Sequence, residues 1–208
     1  MKISEPKIKN CEPKSLKQAI KEGEYYNYIF ENDILDETII QNTTIDSVIF
    51  KKIDFTNIEL RNINLTDVIF EECNLSNQIF DYKFVSRVVF RNCKLTGVSF
   101  IETVLQDVLF EGCSAKYLNL TKSQLNKVEF KETDLSEAYF IETQNKKIEF
   151  NSVQLNKTEF FKVNLCGVDF STADINGIIF DNSSLKGIII DDFQCRYLIG
   201  MLGVRVKE

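Results

Sequence analysis

The chain has no histidine and no tryptophan, and its 208 residues include only two prolines, two methionines and eight glycines. Without histidine, the Ser-His and Cys-His arrangements of nucleophilic catalysis are absent. No CxxC pair compensates, so no metal is expected, and no glycine-rich loop offers a phosphate cradle. No apolar run approaches the ~20 residues of a transmembrane helix. Residues 1–24 are charged and lack the apolar stretch of a signal peptide, so the expected location is cytoplasmic. Thirty-one acidic against 25 basic residues leave a net charge of −6, which argues against nucleic acid or an anionic membrane as a direct partner. These absences point to a binding protein without cofactor, not an enzyme.

What the chain does have is phenylalanine, seventeen in all, placed with a period of five. Positions divisible by five from Phe30 through Leu35, Ile40, Ile45 and Phe50 to Phe180, Leu185 and Ile190 are large and apolar, apart from Ala115 and Asn145. Two residues before most centres stands an apolar or small residue such as Val48, Ile53, Val68, Cys73 or Val98, while the neighbouring positions are mainly polar. A helix turns about 500° in five residues and would smear this stripe round its cylinder. A flat strand would turn every second centre to solvent. A chain that bends at each pentapeptide sends every centre inward, and four bends close a coil of twenty residues. Phe at multiples of ten and Leu between them then fall on opposite pairs of sides, with coils stacked as parallel β-bridges about 4.8 Å apart. The fold class is an all-β solenoid.

At Asn64-Leu65, Asn74-Leu75, Asn119-Leu120, Asp134-Leu135 and Asn164-Leu165, with Ala138 and Ala173 in the preceding slot, the sequence resembles the pentapeptide-repeat family. That resemblance implies a right-handed quadrilateral β-helix of about eight coils and, by itself, no site.

The organisation expected is a cap over residues 1–24, repeats over 25–190 and a helix with tail over 191–208. Glu12 to Glu22 reads as a helix with Pro13 in its first turn and Gly23 past its end, its Leu16, Ala19 and Ile20 covering the open first coil. Tyr25, Tyr26 and Tyr28 are expected to pack on that coil. Three places strain the repeat: Asp81 to Val85, with Lys83 at an inward position; Ala115, with Tyr117 as the candidate to fill the space; and Thr143 to Lys147, where Asn145 sits in a Leu position and a bulge is expected. Cys73, Cys93 and Cys113 stand twenty apart and read as small side chains filling one inward column, since parallel Cβ vectors disfavour a disulfide.

After Ile190 the rhythm becomes helical. Asp191 and Gln194 make a capping pair and Gly203 a stop. Phe193, Tyr197, Leu198, Met201 and Leu202 share one side, with more apolar surface than a cap requires, which suggests a homodimer seam. Leu185-Lys186-Gly187-Ile188, Asp192-Phe193-Gln194 and Leu202-Gly203-Val204 resemble the tail of the quinolone-resistance (Qnr-type) pentapeptide-repeat proteins and their Gram-positive relatives. The resemblance implies a two-fold dimer whose rod mimics DNA and binds DNA gyrase and topoisomerase IV. The alternative is a general protein-interaction or structural module without topoisomerase activity.

Charge bears on the choice. Duplex DNA of about 40 Å, the length of eight coils, carries roughly 24 phosphates, against a net charge of only −6 here. Local columns do better. Glu129, Glu149 and Asp169 each precede a Phe centre twenty apart and form a candidate acidic ladder. Ile101, Ile141 and Phe161, with Thr121 between, form a second candidate surface beside Glu102, Lys122, Glu142 and Lys162, whose signs alternate along the stack.

Overall fold

In the computed structural model, which describes residues 1–201 and 203–205, the five-residue rhythm becomes a stack of parallel coils. The elements in order are β1 (Glu12–Pro13), α1 (Leu16–Glu22), β2 (Tyr28–Glu31), β3 (Thr38–Lys51), β4 (Ile58–Glu71), β5 (Phe84–Arg91), β6 (Val104–Glu111), β7 (Gln124–Lys131), β8 (Tyr139–Ile141), β9 (Gln144–Asn151), β10 (Glu159–Phe161), β11 (Ile179–Phe180) and α2 (Asp192–Met201). An eight-stranded parallel sheet runs β1-β2-β3-β4-β5-β6-β7-β9, and a three-stranded parallel sheet, β11-β10-β8, covers another side. Register repeats at twenty: Val68 pairs with Val88, Val88 with Val108, and Val108 with Val128.

The bend has a definite place. Two residues after most centres the backbone is left-handed, at Glu72, Asn92, Glu102, Lys122 and Glu132 among many others. A non-glycine residue in that region costs about 1–2 kcal/mol. Burying a centre together with the residue two before it returns roughly 1.5–3 kcal/mol apiece, so at each corner burial outweighs backbone strain. Glycine takes the corner at Gly112, where a Cβ would meet Asn92 Oδ1 of the coil before at 2.4 Å.

Phenylalanine fills two opposite sides of the interior. Phe70, Phe90, Phe110 and Phe130 stack with successive centroid separations of 5.1, 4.9 and 4.7 Å. Phe100 meets Phe90 and Phe110 edge-on across the core. The position two before each centre does more than fill space. Cys73, Cys93 and Cys113 each donate an S–H to the carbonyl of a centre 23 residues earlier, at 3.4, 3.4 and 3.3 Å. Thr103, Thr143 and Thr158 do the same through their hydroxyls at 2.6, 2.8 and 2.7 Å. Where this slot holds a thiol or hydroxyl, the side chain satisfies a buried carbonyl; elsewhere Val or Ile fills it. All six cysteines are free thiols.

Several local expectations need correction. The N-terminal helix spans only Leu16–Glu22; Pro13 instead pairs with Ile29 in β1, where the ladder bonds come from Glu12 N and Lys14 N and a missing N–H costs nothing. Gly23 closes the helix at φ 70°, and Leu16 and Ala19 are buried. Tyr25 is buried, whereas Tyr26 is half exposed. Tyr117 does not fill the space beside Ala115; it points outward and its hydroxyl bonds Glu137, leaving Leu118 buried on that side of the coil. Lys83 leaves the interior and its ammonium bonds Asn62. At Asn145 the register against β7 shifts, with Asn126 facing Lys147: a β-bulge, as the misplaced amide predicts.

Residues 1–11 form an extended arm along the outside of the stack, running back from the 149 coil to the 47 coil. Ser4 N donates to Asp107 Oδ1 at 2.9 Å, Lys7 N to Asp67 Oδ1 at 2.7 Å, and Cys11 Sγ to the Ser47 carbonyl at 3.0 Å.

Candidate functional site

The candidate sites named from the sequence are side-chain columns and the C-terminal end. Each column is built by the twenty-residue register, which sets equivalent side chains one β-spacing apart.

The acidic ladder occupies the outward position just before a Phe centre. Glu129 and Glu149 are direct β-partners. Glu149 and Asp169 line one hollow of about 390 Å3 together with Asn145, Lys147, Cys166 and Thr172. The rungs are engaged within the chain: Asn151 Nδ2 donates to Glu129 at 2.8 Å, the α-amino group of Met1 lies 2.7 Å from Glu149, and Asp169 accepts from Ser171 N at 2.8 Å. The Ser171 hydrogen bonds hold the Asp169 carboxyl below its ordinary range.

The second column is also assembled. Ile141 and Phe161 are β-partners, and they, Ile101 and Thr121 are half-buried rather than fully exposed. Beside them Lys162 pairs with Glu142 at 2.7 Å, which lowers the Glu142 carboxyl.

At the C-terminal end α2 lies across the last coil. Asp191 and Gln194 exchange reciprocal capping bonds, Gln194 N to Asp191 Oδ1 at 2.8 Å and Asp191 N to Gln194 Oε1 at 3.1 Å. The Gln194 amide also donates to the carbonyls of Phe170 and Ala173 at 2.7 and 2.8 Å, closing main-chain acceptors that no further coil would reach. Leu198 is buried, and Tyr197 accepts Gly177 N at 2.6 Å through its hydroxyl. Phe193 is 86% exposed, and Tyr197 and Ile189 keep 37% and 49% of their surfaces open nearby along the chain. The proposed seam residues thus divide: Leu198 covers its own coil, while Phe193 and part of Tyr197 face outward. Leu202 lies outside the described residues, as does the Met201 side chain.

Two features escaped the sequence reading. One is the arm. The other is a split between the second and third coils, where Gln78 takes an inward position reserved for apolar or small residues. Its amide accepts Leu60 N at 3.1 Å and donates to the Phe55 and Ile58 carbonyls at 3.0 and 2.8 Å, standing in for ladder bonds that are interrupted on that side. Over the split lies an open groove of about 1220 Å3, edged by Ile39, Arg61, Ile79 and Tyr82. A glutamine two residues before Phe80 was the available signal.

Elsewhere the outer charges cancel between coils. Glu111 receives Lys131 at 2.7 Å and Arg91 at 3.0 Å, with its carboxyl lowered first by Lys131. Arg87 grips Asp67 through two 2.6 Å bonds. Burial works to raise the Asp67 carboxyl, but the Arg87 bonds and the Lys7 N–H outweigh it and leave it low. No described helix is long and apolar enough to cross a membrane.

Comparison with known proteins gives a family match and structural likenesses. The model of the family described as "Pentapeptide repeat region" matches residues 63–140. Among solved structures, a trypsin-treated form of QnrB1, a plasmid-mediated fluoroquinolone resistance protein, is similar at 18% identity and a TM-score of 0.47, over 88% of this chain and 92% of that one. Full-length QnrB1 is similar at 19% identity and a TM-score of 0.31, over 86% and 89%. HetL, a pentapeptide repeat protein involved in heterocyst differentiation regulation from the cyanobacterium Nostoc sp., is similar at 16% identity and a TM-score of 0.33, over 85% and 96%. No curated protein matches by sequence.

Proposed function

From a chain whose residues 63–140 are a pentapeptide-repeat region within one stack of parallel coils, we propose a non-enzymatic, homodimeric binding rod. Its partner in this reading is DNA gyrase or topoisomerase IV, engaged in the manner of a DNA mimic. The observation that carries the proposal is Phe193. The last coil is already closed by Gln194 and Leu198, yet the same helix holds a phenylalanine 86% exposed at the end of the rod. An aromatic side chain of this size is costly to leave in water and is a preferred anchor of interfaces. A two-fold pairing of ends through Phe193 and Tyr197 would cover it and double the rod, giving a symmetric partner a symmetric ligand. Phe193 also lies in the Asp192-Phe193-Gln194 element on which the Qnr-type resemblance rests.

A supercoiling assay with purified gyrase, with and without a fluoroquinolone, tests the partner. Inhibition or rescue at micromolar protein is expected, and neither effect would remove this reading. Light scattering tests the dimer: Phe193→Glu should halve the mass without changing the circular dichroism of the stack, because the side chain lies outside the core. A wild-type monomer would refute the seam.

A second reading, a general protein-interaction module, is favoured by the cross-coil ion pairs. With Glu111, Asp67 and Glu142 each matched to a cation, the outer charge is a mosaic rather than a phosphate-like array, which suits a mixed protein surface better than a DNA groove.

A further inference from the structure

In a strand whose even neighbours Val88 and Phe90 point inward, Val89 must point out. The outward position just before the centre is nevertheless aliphatic on five successive coils, at Ile29, Ile49, Ile69, Val89 and Leu109, before it turns acidic at Glu129. Val89 is only 7% exposed. What crosses its coil is the arm, because Lys7 N bonds Asp67 and Ser4 N bonds Asp107, one coil to either side.

The two periods match. Three residues of extended chain span about 9.3–9.9 Å, and two coils span about 9.6 Å. Amides three apart in the arm therefore meet carboxylates two coils apart in the stack, while Ile3, Pro6 and Ile8 are half-buried and Lys2, Lys7 and Lys9 stay in solvent. The arm over residues 1–10 joins no strand ladder, and the ladder beneath it is complete without it, Ile69 to Val89 to Leu109. Arg87 holds Asp67 and Lys127 lies 3.7 Å from Asp107, so both acceptors keep a cationic partner whether or not an N–H is present.

We propose that this aliphatic stripe and its two carboxylates are a binding groove for an extended aliphatic segment of a protein partner, and that residues 1–11 occupy it as an intramolecular competitor. The partner segment places N–H groups three residues apart on Asp67 and Asp107, with its apolar side chains over Ile69, Val89 and Leu109. The tethered arm competes at the millimolar effective concentration of a short linker, so the groove opens only to a segment that binds better or when the arm is held elsewhere. This surface is distinct from the C-terminal end and does not depend on a topoisomerase partner.

The test uses full-length protein and a fluorescent peptide of residues 1–11, acetylated so that the α-amino group plays no part. Ser4→Pro with Lys7→Pro removes both N–H donors while leaving an extended backbone allowed. Hydrogen exchange should show the Ser4 and Lys7 amides protected in the wild type, and trypsin should cut after Lys2 and Lys9 faster in the variant, which lacks those two amides. The variant should bind the peptide at least tenfold more tightly than the wild type, and adding Val89→Glu should abolish that gain without touching either carboxylate. Wild-type Ser4 and Lys7 amides that exchange at the free-chain rate, an arm no more open to trypsin in the variant than in the wild type, or a released arm with no gain in peptide binding would each overturn the proposal.

Discussion

Replacing Phe110 with alanine asks whether the stack is held by its interior or by its ladders. Phe110 is completely buried, stacked on Phe90 at 4.9 Å and Phe130 at 4.7 Å with interplanar angles of 8° and 10°, and Phe100 meets its edge. Truncation of a buried phenylalanine removes about 3–5 kcal/mol, counting lost transfer free energy and the cavity left behind. The upper half of that range applies here, since the coils above and below are fixed by β-bridges and cannot collapse into the gap. In a quasi-one-dimensional protein a weak middle coil also uncouples its two flanks. Phe110→Ala should therefore lower the urea midpoint and broaden the transition, with a smaller apparent m-value. Phe110→Leu should cost less than about 1.5 kcal/mol, because Leu120 already sits in an equivalent Phe position on the opposite side without disturbing the ladder. Equilibrium urea unfolding followed by circular dichroism decides the matter. A loss below about 1 kcal/mol for the alanine variant would show that backbone ladders, not the phenylalanine column, hold the coils together.

Gly112→Ala should destabilise by about 1–3 kcal/mol, combining the left-handed φ of 64° with a 2.4 Å approach to Asn92 Oδ1; Asn92→Ala should recover the steric share in a double-mutant cycle. Asp181 accepts from Ser183 and Ser184, which hold its carboxyl down to about 2. A depressed carboxylate stabilises the fold above its ordinary value near 3.8 and loses that contribution as pH falls towards 2. NMR titration should accordingly find the midpoint near 2 in the wild type and closer to 3.8 in a Ser183→Ala, Ser184→Ala variant. Gln194→Ala should leave the Ala173 carbonyl unpaired, the Phe170 carbonyl keeping the Ala173 N–H, at a cost of about 1–3 kcal/mol, seen as faster hydrogen exchange confined to the last coils.

How much of this was legible in the sequence depends on what sets each feature. The coils could be read because a pentapeptide contains its own instructions: a centre, an inward partner and a corner. Nothing distant is needed to know that Phe90 and Val88 face in. The Asn145 bulge and the Asp191–Gln194 cap were readable for the same reason, each being a local departure with a local remedy. The Gln78 split was not, since one amide replaces bonds to residues 18 to 23 positions away. The arm was hidden more completely, because its partners are spread from Ser47 to Glu149. Its trace in the repeats was the run of outward aliphatics from Ile29 to Leu109, visible only once the inward positions are set aside. Of the candidate surfaces, the register assembles Glu129 with Glu149 and Ile141 with Phe161. Leu198 could be assigned to the helix's apolar side from spacing, but whether that side faces its own coil or another molecule is decided by packing.

The arm also inverts the order in which the chain is made and finished. Its first ten residues leave the ribosome before any coil exists, and their acceptors appear at Asp67, then Asp107, only as the stack lengthens. Docking must then advance from Lys7 towards Ser4, one step for each pair of coils completed. At a synthesis rate of roughly 5–20 residues per second, the forty residues between those acceptors take about 2–8 s, far longer than a strand needs to pair. Residues 1–11 therefore settle only after the coils they lie on, although they are made before them, and their seating reads out how far the stack has been built.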